Sequence, residues 1–140
     1  MKNFFIVLLL FVTAKSAAQT DYIYPGNNGK GTLSSSKFHS WSYYIPANTM
    51  GVFTLKNNSG ISDFDIYVYG DEGFNYKIAS GTNYSTKTEL ITIPVYDYGR
   101  YVYISVKNAG SYQSEYYLYP HTVDFYKIAA NAIGDAAIVG

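Results

Sequence analysis

The sequence predicts an all-β, antiparallel fold, and three observations carry that expectation. The first is composition: 17 Tyr, eight Phe and one Trp among 140 residues, side chains that suit a pleated, half-buried surface. The second is rhythm, because short runs of strand character alternate with clusters of Gly, Asn, Asp and Pro at fairly even spacing, as in a sandwich or barrel. The third is alternation inside those runs, apolar side chains on one side and tyrosines on the other. Antiparallel sheets with one wet face produce that pattern.

In order along the chain, residues 41–45 read as a strand closed by Pro46, and 51–56 as the next, ended by Asn57, Asn58, Ser59 and Gly60. Residues 64–69 follow, ended by Gly70, Asp71, Glu72 and Gly73, and a weaker strand at 76–79 gives way to a turn at 80–83. Then come 88–95, a turn at 96–99, the strongest run at 101–107, and a turn through Asn108, Ala109 and Gly110 into 115–119, stopped by Pro120. The punctuating residues favour turn geometry that strand residues resist. Alternation sets Phe64, Ile66 and Val68 against Asp65, Tyr67 and Tyr69, and Val102, Ile104 and Val106 against Tyr101, Tyr103 and Ser105. It also sets Phe53 and Leu55 against Val52, Thr54 and Lys56. The first set of each strand is the expected core face.

Both ends of the chain differ from this middle. Lys2, the apolar run 4–12 (FFIVLLLFV) and the small residues Ala14, Ser16, Ala17 and Ala18 have the order of a secretory signal peptide. The run is shorter than the roughly 20 apolar residues a spanning helix needs. Cleavage is expected after Ala18, making Gln19 the new N-terminus, and the expected location is secreted or periplasmic. Residues 19–120 then form one sandwich domain, a size that buries a self-sufficient core without crosslinks, in keeping with the absence of Cys. At 121–140 the chain is Ala-rich, with Phe125, Ile128, Ala129, Ala132, Ile133 and Ala136 at helix-like spacing, and reads as a tail or short helix.

Charge excludes two partner classes. Ten basic and ten acidic residues cancel and lie scattered, so neither nucleic acid nor an anionic membrane is expected as a partner.

Five segments resemble a known family: residues 41–49 (WSYYIPANT), 50–55, 63–68 (DFDIYV), 98–106 (YGRYVYISV) and 114–118 (SEYYL). Together they are similar to the bacterial pre-peptidase C-terminal domain over about residues 31–120, Asp63, Asp65, Ile66, Tyr67 and Val68 being the most specific piece. Asn48, where the family usually has Gly, and the Ala-rich tail depart from it. The resemblance implies a jelly-roll-like sandwich of about eight strands in two sheets. It also implies a domain commonly appended to secreted peptidases, some of whose relatives bind collagen and calcium.

No catalytic apparatus is expected. His39 and His121 are the only histidines and read as loop-flanking, neither sits in a nucleophile-elbow or zinc-protease motif, and no Cys is present. No cofactor is required, although Ca²⁺ is a candidate: Asp63 and Asp65, two apart, leave one face of a strand, and Asp71 and Glu72 complete the set if the following turn folds back. The competing reading makes Asp63 a turn residue and Asp65 a solvated, outward one. Tyr67, Tyr69, Tyr101 and Tyr103 face away from the core and form the candidate ligand-binding surface, which Tyr117 and Tyr119 extend if their strands are neighbours. Such rings stack on sugars or pack on proteins, and they also stabilise sheets by cross-strand pairing alone. Asn57 and Asn83 head glycosylation sequons. The expectation is a secreted, non-catalytic module binding an extracellular polysaccharide or protein. The alternative is an orphan pro-domain that assists or masks a separately encoded secreted peptidase.

Overall fold

A computed structural model describes residues 19–84, 88–127, 130 and 131. The expected signal peptide and most of the Ala-rich tail lie outside them. Nine strands are described: β1 (Thr20–Ile23), β2 (Gly29–Leu33), β3 (Phe38–Ile45), β4 (Thr49–Asn57), β5 (Phe64–Tyr69), β6 (Lys77–Gly81), β7 (Glu89–Ile93), β8 (Arg100–Asn108) and β9 (Ser114–Asp124). They form a five-stranded sheet, β1-β3-β8-β5-β6, facing a four-stranded sheet, β2-β9-β4-β7. The fold is a β-sandwich.

The expected core faces are the observed ones. Phe64, Ile66, Val68, Val102, Ile104, Val106, Phe53 and Leu55 are all buried between the sheets, joined by Tyr43, Ile45, Ile91, Ile93, Tyr116 and Leu118. Each pleat sends alternate side chains inward, so the two sheets meet along one apolar layer.

Four expectations need correction. First, β1 and β2 precede the first expected strand, and β1 pairs with β3 in parallel, Thr20 opposite Ser40 and Ile23 opposite Tyr43. One element of the sandwich is therefore not antiparallel. Second, Pro120 does not stop β9, which continues to Asp124 and sets Pro120 opposite Phe53 of β4. Strand β2 reaches only Leu118 along β9, so beyond that point β9 is an edge, where proline is tolerated. Third, Val52 is outward in register yet buried. Fourth, His39 is not loop-flanking but lies inside β3, paired with Val106. In the tail, residues 125–127 are helical, and the Phe125 side chain is exposed.

The glycines of β2 explain why so unpromising a strand, GKGTL, forms at all. A Cβ on Gly29 would stand 2.9 Å from Ile23 Cδ1 and 3.2 Å from Trp41, and one on Gly31 would stand 2.7 Å from His39 Nδ1. The missing side chains let β2 close over the rings of Trp41, His39 and Tyr116. There a chain of hydrogen bonds links the sheets. Trp41 Nε1–H donates to the Tyr116 hydroxyl (2.8 Å), which lies 2.6 Å from His39 Nδ1, while His39 Nε2 meets the Asp21 carboxylate at 2.8 Å. With Asp21 accepting from Nε2–H, Nδ1 of the neutral imidazole is left to accept the tyrosine proton. Burial pushes the Tyr116 phenol far above its ordinary range, which keeps that proton in place.

At the end of the sandwich opposite Tyr44 and Tyr101, buried Asn108 ties three segments together. Its amide donates to Leu33 O (2.8 Å) and Tyr112 O (2.7 Å) and accepts from the Ser62 hydroxyl (2.6 Å) and Gly110 N–H (2.9 Å). Asn57 closes the neighbouring loop, donating to Ser62 O and accepting from Ser59 and Gly60 N–H.

Candidate functional site

The outward face of the five-stranded sheet collects aromatic side chains from four strands and two loops. Register sets Tyr101 opposite Tyr44, Tyr103 opposite Ser42, and Tyr69 opposite Tyr103, while Tyr22 lies opposite Ser42 on the other side of β3. The rings touch in sequence: Tyr24 on Tyr22 (4.5 Å between centroids), Tyr22 on Tyr101 (6.0 Å) and Tyr101 on Tyr44 (5.2 Å). Farther along, Tyr69 meets Phe74 (5.3 Å), and Phe74 meets Tyr103 (6.3 Å). Tyr101 and Tyr103, two apart on β8, join the two groups into one strip. Tyr24 and Tyr101 are its most exposed members.

The rings are tilted against one another. Interplanar angles along the strip run from 58° to 89°, the tilted and T-shaped arrangements that ring quadrupoles prefer. Each ring braces its neighbour. Ser40, Ser42, Ser80 and Ser105 fill outward or cross-strand positions among them.

All four tyrosines named from the sequence, Tyr67, Tyr69, Tyr101 and Tyr103, lie on this sheet, and the structure brings the last three into the strip. Tyr67 is set apart. Its hydroxyl donates to Asp65 Oδ2 (3.0 Å), Lys77 lies over its ring, and burial with that carboxylate pushes the phenol up to about 12. Tyr117 and Tyr119 belong to β9 and hence to the opposite face of the molecule, where they form a near-parallel pair (6.1 Å, 23°) beside Lys56. Tyr22, Tyr24, Tyr44 and Phe74 were not legible in the sequence as site residues. Alternation around Trp41 carried the signal for Tyr44, but Tyr22 needed β1, and Phe74 sits in a loop.

Phe74 has a left-handed backbone, φ 55°, a conformation that costs a residue with a Cβ roughly 1–2 kcal/mol. The Asp71 carboxylate sets that loop, accepting the N–H groups of Asn75 (3.0 Å) and Tyr76 (2.6 Å) and the Asn75 amide (3.1 Å). These donors, that of Tyr76 first, hold the Asp71 carboxyl below its ordinary value.

Asp71 is therefore not a companion of Asp63 and Asp65. It lies six residues beyond Asp65, past the far end of β5, and β5 alone spans about 13 Å from Asp65 to Tyr69. Glu72 stays with Asp71. Asp65 is buried and not solvated, because the Tyr67 hydroxyl covers it. Asp63 and Asp65 do share a cleft of about 280 Å³ with Thr82, Tyr84 and Ala109. Buried Glu89 lies close by and accepts from Asn83 N–H (2.7 Å) and Asn83 Nδ2 (2.9 Å). Burial, with the nearby Asp65 and Asp63 charges, raises the Glu89 carboxyl. Among the described residues no three His, Cys, Asp or Glu side chains converge as a metal-ligand set. Both sequon asparagines spend their side-chain amides internally, Asn57 on Ser62 and Asn83 on Glu89.

No family model and no curated protein matches the sequence. Solved structures do match. The pre-peptidase C-terminal domain of a Bacillus anthracis collagenase superposes with a TM-score of 0.59 at 12% identity, over 73% of this chain and 94% of that one. The chain has the fold of a pre-peptidase C-terminal domain. That is the family which residues 31–120 resemble. Aeromonas hydrophila PliG, a periplasmic inhibitor of g-type lysozyme, matches with a TM-score of 0.56 at 12% identity, over 74% of this chain and 96% of its own. The Yersinia pseudotuberculosis-derived mitogen matches with a TM-score of 0.51 at 16% identity, over 70% and 86%. Identities this low carry the fold and nothing finer.

Proposed function

We propose that this chain is an exported, non-catalytic binding module that grips a protein partner through the tyrosine strip of its five-stranded sheet. Export by the signal peptide 1–18, with cleavage after Ala18, is part of the proposal, and so is a location outside the cytoplasm. The observation that carries the reading is the braced, mutually tilted set Tyr22, Tyr44, Tyr101, Tyr103, Tyr69 and Phe74. Tyrosine supplies large, rigid contact area at low entropic cost, and tyrosine with serine is the chemistry of protein-binding paratopes. A flat polysaccharide platform instead needs neighbouring rings close to coplanar, and adjacent rings here tilt against one another by 58° or more. Charges stand at the rim, Asp71 and Glu72 in the loop that follows Tyr69, with Lys77 opposite Tyr69 at the same end and Lys107 opposite Asp65 at the other, as interfaces prefer. A partner that fits carries an apolar centre with a polar, charged surround.

The fold shared with a collagenase accessory domain and with a lysozyme inhibitor favours a partner that is itself a secreted enzyme or its protein substrate. A chain that assists or masks a separately encoded secreted peptidase is the narrower form of this idea.

The test is retention of g-type lysozyme, collagen, insoluble polysaccharides and secreted peptidases on immobilised residues 19–140, with calcium and with chelator. Saturable retention of one protein, unchanged in chelator, is the expected result. Retention on a polysaccharide alone contradicts the protein reading, and loss in chelator restores Ca²⁺ on Asp63 and Asp65.

A further inference from the structure

The mature N-terminus, we infer, is chemically blocked: Gln19, freed by cleavage after Ala18, closes on itself to pyroglutamate. The inference rests on the export reading above. Gln19 is exposed and lies outside any strand, with β1 starting at the next residue, so its side chain and new amine are free to meet. The α-amine nitrogen attacks the side-chain amide carbon, Cδ. One C–N bond forms, the bond from Cδ to the amide nitrogen breaks, and ammonia leaves with the displaced proton. Oxidation states do not change and no co-reactant is needed. An α-amine has an ordinary pKa of about 7.7–8.0, so near neutral pH a useful fraction is already the nucleophile.

The structure gives this ring a purpose. Chain ends fray and attract proteolysis, and here the end is a four-residue edge strand on which the seam between the sheets depends. Loss of Gln19 and Thr20 brings an exopeptidase to Asp21, whose carboxylate completes the His39, Tyr116 and Trp41 hydrogen-bond chain. Two residues further lies Ile23, only 2% exposed in the core. A lactam end offers no amine for an aminopeptidase to hold. It also removes a positive charge from the start of β1.

The experiment is to express the full chain, collect the exported protein, and determine its intact mass and N-terminal sequence before and after pyroglutamyl peptidase. The expected mass is that of residues 19–140 less one ammonia, with no sequence read until the peptidase exposes Thr20. A free amine on Gln19 overturns the inference and leaves export standing. A start at any other residue overturns the cleavage after Ala18 and the inference while leaving export standing, and retention of residues 1–18 overturns the export reading with them. In a second measurement, aminopeptidase trims Gln19→Ser past Asp21 and lowers its Tm by several degrees, while the wild type is untouched. Equal trimming of both overturns the protective role.

Discussion

The two outward faces of the sandwich are built by the same alternation and come out differently. On the five-stranded sheet, outward tyrosines on β1, β3, β8 and β5 lie on neighbouring strands, so their rings meet and brace one another across the face. On the four-stranded sheet, Tyr117 and Tyr119 sit together on β9, but register sets Lys30 and Lys56 on either side of Tyr117. Glu115 bonds the Tyr117 hydroxyl and raises its phenol. Charged neighbours divide the second set, whereas serines and further rings continue the first. Tyrosine content alone does not make a binding face. What the flanking strands place beside each ring does.

Five changes break or sharpen that contrast, beginning with the largest expected effect and its control on the other face. Tyr101→Ala with Tyr103→Ala removes the link between the two halves of the strip. Buried aromatic anchors contribute about 2 kcal/mol or more each, so binding to the retained protein should fall at least a hundredfold by titration calorimetry. Tyr117→Ala with Tyr119→Ala should leave it within threefold. Tyr116→Phe tests an inward tyrosine against these outward ones. It strips the hydroxyl that Trp41 and His39 share and leaves buried polar atoms unpaired, at a cost of about 1–3 kcal/mol, read from urea unfolding, with affinity for the partner unchanged.

Phe74→Gly relieves a backbone strain of roughly 1–2 kcal/mol while removing ring contacts of similar size. Stability should therefore move little and affinity should drop, a split that a merely structural Phe74 does not produce. Glu89→Gln acts away from both faces. The folded-state carboxyl of Glu89 is raised, so the folded protein binds more protons than the unfolded one between the two pKa values. Stability from this group thus rises as pH falls through the folded value and is lower above it. The variant should flatten that slope in Tm measured across mildly acidic to neutral pH.

Much of this architecture was readable from alternation: Phe64, Ile66, Val68, Val102, Ile104 and Val106 are buried as expected because period-two patterning leaves them no other face. The strands that escaped are those whose formation depends on a neighbour. GKGTL has no apolar run, and β2 exists because two absent Cβ atoms make room for Trp41 and His39. TDYI is too short to announce itself, and its parallel pairing is set by β3. Pro120 reads as a stop unless one knows that β2 has already ended. At the site, Tyr69, Tyr101 and Tyr103 were legible by pleat, whereas Phe74 required the Asp71 loop. Asp63, Asp65 and Asp71 looked like a set only because sequence distance hides the length of β5.

The most direct test of the tyrosine strip is tyrosine-selective labelling of the protein alone and in complex with its retained partner, read residue by residue by mass spectrometry. Protection of Tyr22, Tyr24, Tyr101 and Tyr103, with Tyr117 and Tyr119 labelled as before, is the predicted result. Protection of Tyr117 and Tyr119 with Tyr101 and Tyr103 still open would move the binding face to the other sheet and contradict the account.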